Sequence, residues 1–381
     1  MSDIAPAHAT RVQNSIMDRV LAARDRLVSS LRFQRIVSSV PGLRKIAQNQ
    51  AKDVFDLLAG FVYSQTLSAC VELGLLQTLL EGPRSVEELA RVAQLPTEGM
   101  ERLVAAAVSL KILSRRSGGR VGLGMRGAAI AGNPGLIGMI EHHRMFYRDL
   151  ADPVALLQGR NEPTELSRYW GYAGSDGRTL NGYDVAAYSD LMSASQSLVA
   201  DTVIGAYPFA KHKRMLDAGG GDGTFITRVA AQHPHLQFIH FDLPAVSARA
   251  RAKFESAGLS GRTQCVSGSF VDDGLPDGAD IVTLVRILHD HSDLNVTKIL
   301  TRARAAVMEG GVLLVAEPLA GTRGAESMGD AYFGFYLMAM GKGRPRTKHE
   351  LEAMLRDAGF SQISEIASPI PLQTRILAAK A

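Results

Sequence analysis

A short polar segment after an apolar run has the residue types of a proton-transfer site. The segment RILHDHSD (286–293) follows DIVTLV (280–285), whose composition is typical of a strand. A histidine at the carboxyl edge of a strand in an open sheet can face a ligand cleft. A neutral imidazole, with an ordinary pKa of about 6.5, accepts a proton readily near neutral pH. His289 can therefore face such a cleft with a side chain that is able to accept a proton, although a histidine here can also cap the next helix or pack in the core.

The sequence offers little support for a metal or redox centre. His289 and His291 stand two residues apart, but no further ligands at a matching spacing accompany them, so we expect no metal. The only cysteines, Cys70 and Cys265, lie far apart and match no metal or redox spacing. We expect both to be reduced and buried.

A glycine-rich loop and an acidic residue indicate a nucleoside ligand. The run DAGGGDGT (217–224) separates an apolar stretch from a helical one, and its glycines allow the backbone to approach a ligand closely. A dinucleotide fingerprint, G-x-G-x-x-G, fails because Thr224 stands at the third glycine position. Asp242 lies 23 residues beyond Gly219, at the end of the next strand, where a carboxylate can accept hydrogen bonds from ribose hydroxyls. On its own, Asp242 can instead cap the helix that begins near Pro244.

The elements that must position these residues begin after Pro208, where short apolar runs alternate with helical stretches. This alternation predicts a mostly parallel α/β sheet, closed by a terminal pair of strands near ISEIA and RILAA. The other candidate strands are RMLDA (214–218), QFIHFD (237–242), TQCVSG (263–268), DIVTLV (280–285) and GVLLVAE (311–317).

The first half of the chain contains a helix–helix–hairpin pattern. The predicted pieces are a helix capped by Ser85 and Glu88 that ends at Val92, a helix from Thr97 to Leu110, and a hairpin over 112–124. This order indicates a winged helix, a fold that often binds DNA. The second helix offers only Arg102 as a basic side chain, which disfavours reading of a major groove.

Two helical patterns precede this motif. The first, from Arg11 to about Val40, is basic and amphipathic, and residues 1–50 carry a net charge of +5 whereas the other 331 residues sum to −1. Such a helix can lie on an anionic membrane surface, or pack on the rest of the protein or on a second subunit. The second pattern, from Asp53 to Leu80, is apolar on nearly all sides, which is typical of a helix buried by several neighbours. A subunit interface can supply that burial.

Length and composition set the broad class. With 381 residues, of which 46% are apolar and 21% charged, the chain is an ordinary globular protein of about two domains. No run of 18 apolar residues occurs and charges are spread through the first thirty residues, so we expect a cytoplasmic protein. We predict a basic leader over 1–48, a helical winged-helix-like domain over 49–200 and a sheet domain over 201–381. Residues 132–200 read as helices broken near Asn133, Pro153, Pro163 and 171–182.

The motifs taken together resemble a known family. LDAGGGDG, FDLP, GSF, LVRILHDHSD and an EP after an apolar strand follow one another in that order. Over nearly its whole length the chain resembles the two-domain S-adenosyl-L-methionine-dependent O-methyltransferases of plants and bacteria. The resemblance implies a Rossmann-like domain with a mostly parallel seven-stranded sheet, preceded by a mostly helical domain that forms a homodimer. It also implies transfer of a methyl group from S-adenosyl-L-methionine to a hydroxyl, without a metal.

The resemblance implies roles for individual residues. His289 is expected to be the general base that takes the proton of the acceptor hydroxyl. Ser269 and Phe270 are expected to border the adenine, with Ser269 standing where the family often has an aspartate. The residues expected to bind the cofactor are Asp217, Gly219, Gly221, Asp242, Ser269, Phe270 and Arg286.

The acceptor side departs from the family pattern. Many members support the histidine with a glutamate in a G-x-E-R-T motif, but here GKGRPRT has Pro345 at that position, and the preceding helix offers Phe333 or Gly334 in place of an acid. We therefore expect an acceptor pocket without carboxylates, suited to a long apolar molecule with one hydroxyl. The residues expected to bind the substrate are Phe146, Tyr147, Tyr332, Phe333, Tyr336 and Met340, although an apolar stripe of this kind also packs as core.

Three segments narrow the resemblance. AGFVYSQTLSACVELGLL, FYRDLADP (146–153) and MAMGKGRPRT (338–347) are similar to bacterial carotenoid O-methyltransferases, which act on 1-hydroxy carotenoids such as hydroxyneurosporene and demethylspheroidene. A membrane-dissolved substrate would give the basic leader a role in peripheral contact with the photosynthetic membrane. The alternatives are methylation of a bacteriochlorophyll precursor at a ring carbon, methylation of a small aromatic hydroxyl, and a non-catalytic winged-helix regulator.

Overall fold

The computed structural model describes residues 16–169, 196, 199–370 and 374–381. The chain separates into two compact units, residues 1–69 and residues 70–381. The first holds the leader helices and most of a long helix. The second holds the hairpin, the sheet and every residue predicted to bind cofactor or substrate.

The leader forms two helices, Ile16–Val28 and Leu31–Ser39, with no buried residue in either. The prediction of one continuous helix from Arg11 to Val40 is therefore wrong in its middle, and Arg11 lies outside the described residues. Ser30 has extended backbone and acts as the N-cap of the second helix. The helix breaks at a pair of serines because serine competes for backbone hydrogen bonds and favours caps over helix interiors.

The apolar helix begins earlier than predicted and ends sooner. It runs from Pro41 to Glu72, and a glycine with φ of +64°, Gly74, separates it from Leu75–Leu80. From Pro41 to Gln65 it has no buried residue within the single chain, and Leu57 is 84% and Phe61 71% exposed. By length and composition alone this helix is apolar enough to cross a membrane, with a window of mean hydropathy 1.4. A helix whose apolar face is covered by another protein chain passes the same test.

The helix–helix–hairpin elements are confirmed. Val86–Val92 begins with a capping box, in which Ser85 and Glu88 exchange side-chain and backbone hydrogen bonds. Helix Thr97–Ser109 follows, and then strands β1 (Leu113–Arg115) and β2 (Val121–Leu123) pair antiparallel.

Further helices follow the hairpin. They are Met125–Ala131, Pro134–Asp149, Pro153–Leu157 and Glu165–Tyr169. The predicted breaks at Asn133 and Pro153 are confirmed, because Asn133 caps one helix and Pro153 is the first residue of the next. The break predicted at 171–182 lies outside the described residues.

The remainder forms the predicted seven-stranded sheet. Its order is β5-β4-β3-β6-β7-β9-β8, with β9 antiparallel to β7 and β8 and the other pairs parallel. The strand order reverses between β3 and β6, which is where open α/β sheets bind ligands. The strands are β3 (Arg214–Ala218), β4 (Gln237–Asp242), β5 (Thr263–Ser267), β6 (Ala279–Val285), β7 (Val307–Glu317), β8 (Ser361–Ile366) and β9 (Arg375–Lys380).

Helices cover both faces of this sheet. They are Thr224–Gln232, Pro244–Ser256, Asp293–Ala306 and Lys348–Asp357, whereas helix Phe333–Met340 packs in a separate core with Phe146 of helix Pro134–Asp149. Because side chains alternate along a strand, Leu216 of β3 belongs to the core on one face and Met215 to the core on the other. Of the two cysteines, both free, Cys70 is buried and Cys265 only half-buried.

Candidate active site

Three sequence motifs meet at the carboxyl edge of the sheet. The glycine loop follows β3, the histidine segment follows β6, and Glu317 ends β7. β6 and β7 are parallel neighbours with Val285 opposite Ala316, so the residues after both strands lie side by side. The sheet topology therefore brings together groups that are about 100 positions apart in the sequence.

The glycine loop has a conformation that other residues would disturb. Gly219 and Gly221 have φ of +74° and +58°. A Cβ on Gly219 would lie 2.4 Å from Ile287 Cδ1 and 3.2 Å from Phe270 Cε1. The loop is also held from β4, since Gly221 N–H donates to Asp242 (2.8 Å) and the Gly221 carbonyl lies 2.8 Å from His240 Nε2.

Asp242 and the loop are adjacent, as the spacing predicts. The two carboxylate oxygens accept N–H groups of Gly221 and Leu243, and the residue is 6% exposed. Burial raises the pKa of Asp242, although His240 and the two N–H groups oppose that rise. The alternative in which Asp242 caps the next helix is wrong, because the N-cap of Pro244–Ser256 is Leu243.

Asp217 is a buried carboxylate with an unsatisfied oxygen. Its Oδ1 accepts the Thr283 hydroxyl at 2.6 Å, while its Oδ2 has no hydrogen-bond partner within the part of the chain that the structure describes. Burial, with a smaller contribution from nearby Asp242, raises the pKa of Asp217 to about 7. A buried acceptor of this kind is costly unless a ligand supplies a donor. Asp217 and Asp242, two buried carboxylates beside a glycine loop, fit a ligand that carries hydroxyls and positive charge.

The other residues predicted to bind the cofactor lie in two places, near the glycine loop and near His289. The Ser269 hydroxyl lies 2.9 Å from an Asp272 carboxylate oxygen, and Phe270 lies beside Gly219. Arg286 has a left-handed backbone, with φ of +59°, and its charge opposes the rise in the pKa of both His289 and Tyr332. Arg286 is therefore electrostatically close to the histidine, on the side predicted to bind the acceptor.

His289 lies between two carboxylates. It sits on the short 3-10 turn Leu288–Asp290 and is 6% exposed. Its Nδ1 lies 2.5 Å from Glu317 Oε2, and its Nε2 lies 3.1 Å from Asp290 Oδ1. Burial alone would lower the pKa of His289, but Asp290 and Glu317 outweigh it and raise the pKa above its ordinary value. The arrangement is that of an oriented imidazole of increased basicity.

The expectation of an acceptor side without carboxylates is therefore wrong. Glu317 is 2% exposed, and its other oxygen accepts the N–H groups of Ile287 and Leu288, so it fixes the turn as well as the ring. The acid comes from the end of β7 and not from the two segments in which the sequence lacks one. The sequence did contain a signal for Glu317. The predicted strand GVLLVAE ends in this glutamate, and neighbouring parallel strands of a sheet have their carboxyl ends at the same edge.

A segment after the aromatic helix braces the histidine turn. Arg346 is 2% exposed and donates to the carbonyls of Leu288 and His291, each at 2.7 Å, and to Asp293. A Cβ on Gly343 would lie 2.1 Å from the His289 carbonyl oxygen, so the backbones are in close contact. The segment in which Pro345 replaces an acid therefore holds the turn through an arginine. Sequence reasoning missed this role.

Four of the predicted substrate residues, Phe146, Tyr332, Phe333 and Tyr336, form one aromatic group. The Phe333 ring lies 5.8 Å from the His289 ring, Tyr332 and Tyr336 stack at 5.7 Å, and Phe146 meets Tyr336 at 5.3 Å. Phe146, Tyr336 and Met340 are buried, whereas Tyr147, Tyr332 and Phe333 are half-buried. The group thus combines a packed core with a surface that reaches the histidine.

Two further histidines support this aromatic group and were not predicted. His142 Nε2 lies 2.7 Å from the Tyr336 hydroxyl, and His143 Nε2 lies 2.8 Å from the Tyr332 hydroxyl. Burial, aided by His143, lowers the pKa of His142 to about 4, and burial also lowers that of His143. Both are therefore neutral near pH 7. The only sequence signal was their position on the helix that also carries Phe146 and Tyr147.

Comparisons with known proteins agree with this site. A model of the O-methyltransferase domain matches residues 147–361, and a model of the O-methyltransferase dimerisation domain matches residues 55–126. This chain belongs to the O-methyltransferase family. It is an S-adenosyl-L-methionine-dependent O-methyltransferase, whose loop and buried carboxylates fit that cofactor.

Individual relatives of this O-methyltransferase cover nearly its whole length. It is 43% identical to demethylspheroidene O-methyltransferase of Cereibacter sphaeroides over 89% of both chains. It is 37% identical to the enzyme of the same name from Rhodobacter capsulatus, over 93% of this chain and 88% of that one. The crystal structure of human N-acetylserotonin methyltransferase in complex with SAM has the same fold, with a TM-score of 0.72 and 24% identity over 87% of this chain and 97% of that one.

Proposed function

We propose that this O-methyltransferase methylates the hydroxyl of a 1-hydroxy carotenoid of the hydroxyneurosporene or demethylspheroidene type, in carotenoid biosynthesis. The observation that carries the proposal is the 43% identity, over 89% of both chains, to a demethylspheroidene O-methyltransferase. The aromatic surface that reaches His289 supports it, because such a surface suits a long apolar molecule better than a polar one.

In this proposal His289 is the general base. The acceptor hydroxyl is on a saturated carbon, so it is a much weaker acid than a phenol, whose pKa is about 10. A stronger base is then useful, and Glu317 and Asp290 raise the pKa of His289. Glu317 also accepts the proton that the neutral imidazole carries on Nδ1, which leaves the lone pair of Nε2 for the proton of the acceptor hydroxyl. Asp290, 3.1 Å from Nε2, would stabilise the imidazolium that forms.

In the proposal the cofactor binds along the glycine loop. Asp242 would bind the ribose hydroxyls, Asp217 would accept a hydrogen bond from the positively charged end, and Gly219 and Gly221 would pass beneath the methionine part. Ser269 and Phe270 would border the adenine, and Arg286 would stand between the two halves. When bound, the cofactor supplies an electrophilic methyl carbon on a sulfonium, so the chain's own task is to align the hydroxyl and exclude water.

The domain organisation belongs to the same proposal. Residues 1–48 would form a basic leader, 49–200 a dimerisation domain and 201–381 the catalytic domain. The match to a dimerisation domain and the exposed apolar side chains of Pro41–Glu72 support a homodimer. The charge of residues 1–50, +5, supports peripheral contact of the leader with the membrane that holds the substrate. The protein would then be a cytoplasmic enzyme at a membrane surface.

A turnover assay tests the proposal. Purified protein receives methyl-labelled S-adenosyl-L-methionine and, in parallel reactions, a detergent-dispersed 1-hydroxy carotenoid, a bacteriochlorophyllide and a simple phenol. Label in the carotenoid is the expected result. Label only in the pigment or the phenol would overturn the substrate assignment, and no label in any acceptor would favour a non-catalytic regulator. In the last case a gel shift with promoter DNA decides whether the helix–helix–hairpin region binds DNA.

A further inference from the structure

The hairpin of the N-terminal half carries a dense group of positive charges. Lys111, Arg115, Arg116, Arg120 and Arg126, here called the basic wing, are all exposed and lie on or beside β1 and β2. No aspartate or glutamate occurs between Glu101 and Glu141. The small net charge of the whole chain conceals this local excess.

The basic wing is not neutralised by any carboxylate among the described residues. Arg116 and Arg126 donate to the backbone carbonyls of Leu123 and Leu110, and over the described residues no wing cation lies within ion-pair distance of a carboxylate. Cations just outside the wing behave differently, since Arg84 pairs with Glu81 and Arg102 with Glu98. A like-charged group without internal partners destabilises the fold slightly and attracts a polyanionic surface.

We propose that the basic wing docks the enzyme onto an anionic lipid bilayer. Met125 supports this partner: its side chain is 87% exposed at the base of the hairpin, where Arg126 N–H donates to the Lys111 carbonyl. An apolar side chain between cations fits the interface between headgroups and acyl chains. The choice of a lipid bilayer as the partner also rests on the proposed function, because an enzyme reaches a methyl acceptor dissolved in the membrane from the membrane surface.

Nucleic acid fits the same region less well. In a winged helix the second helix enters the major groove. Here that helix, Thr97–Ser109, carries Glu98 and Glu101 against a single cation, Arg102, which is already paired at 2.6 Å. A phosphate backbone would be attracted to the wing and repelled by the helix beside it.

The test is cosedimentation of the full chain with vesicles of phosphatidylcholine alone or mixed with phosphatidylglycerol. The variant R115E/R116E/R120E reverses three wing charges, and K213E/K298E/R323E reverses three exposed charges elsewhere as a matched control. Each cation at an anionic surface contributes about 1 kcal/mol, so we expect the wing variant to bind anionic vesicles on the order of 100-fold more weakly than the control. Wild type should bind phosphatidylcholine vesicles poorly.

The leader stays intact in all variants, so any binding it provides remains as a constant background. Equal vesicle binding by the wing variant and the control would overturn the proposal, as would wild-type binding to duplex DNA but not to anionic vesicles. If the charge reversals lower thermal stability, the neutral set R115Q/R116Q/R120Q replaces them. The assay needs no acceptor, so wing-dependent binding together with failure to methylate a carotenoid would refute the proposed function and leave the docking surface standing.

Discussion

His289 and His142 are equally buried, each 6% exposed, yet their pKa values move in opposite directions. Burial lowers the pKa of His142 to about 4, with no carboxylate among the causes. Burial acts on His289 in the same sense, but Asp290 and Glu317 reverse the outcome. The comparison shows that the partner of a buried imidazole, and not its burial, decides whether it is a base or a neutral packing group.

The largest expected effect comes from removing each imidazole in turn. H289Q should lower kcat by about 10²- to 10⁴-fold, because general base catalysis contributes that much, while cofactor affinity changes little. H142F should change kcat less than tenfold. Single-turnover transfer of labelled methyl to the acceptor that wild type uses, with calorimetric cofactor binding, measures both. Similar losses of kcat in H289Q and H142F would mean that His289 is not the general base while His142 only packs.

The next effect concerns the carboxylate that supports the base. His289 must be neutral to accept a proton, so activity should rise with pH through its raised pKa. E317Q removes a charge that raises this pKa, so the acidic limb of the kcat profile should move to lower pH while its plateau falls by about 10- to 100-fold. Y336F, the matching change beside His142, should leave the limb in place. An unmoved limb in E317Q would mean that Glu317 does not act on His289.

Arg346 should have a smaller effect through the same histidine. R346K retains the charge but cannot bridge the carbonyls of Leu288 and His291, so kcat should fall by about tenfold. R344K is the control, because the hydrogen bonds of the Arg344 side chain go to Asp293 and Glu350 and not to either carbonyl. If Arg346 is a positioning residue for the His289–Glu317 pair, R346K should add little to E317Q. Additive losses would indicate a merely structural role.

The sequence predicted one half of this site better than the other. The glycine loop and Asp242 are each local signals, a turn motif and a strand end at a characteristic spacing, and the seven strands follow from apolar alternation. Glu317 and Arg346 act on His289 only through strand order and loop packing, which spacing does not report. Local pattern also set the wrong limits for the leader helix, where the two serines at 29 and 30 interrupt a continuous amphipathic stripe.

The smallest expected effect on catalysis belongs to the second histidine, and it should appear in stability instead. The folded-state pKa of His142, about 4, is below its unfolded value near 6.5. The unfolded chain therefore binds more protons between those values, and the free energy of unfolding should decrease as pH falls from 6.5 towards 4. H142F should flatten that dependence, and urea unfolding at several pH values measures it.

The contact between His142 and Tyr336 allows a sharper test of what His142 does for the aromatic group. H142F removes the hydrogen bond between the His142 imidazole and the buried Tyr336 hydroxyl, which should lower the free energy of unfolding by about 1–3 kcal/mol. Y336F removes the same hydrogen bond, so the loss of stability in the double variant should be well below the sum of the two single losses. Such a coupling with little change in kcat for H142F would mean that the two histidines serve different ends, packing at His142 and proton transfer at His289. Additive losses of stability would mean instead that the hydrogen bond between His142 and Tyr336 does not stabilise the fold.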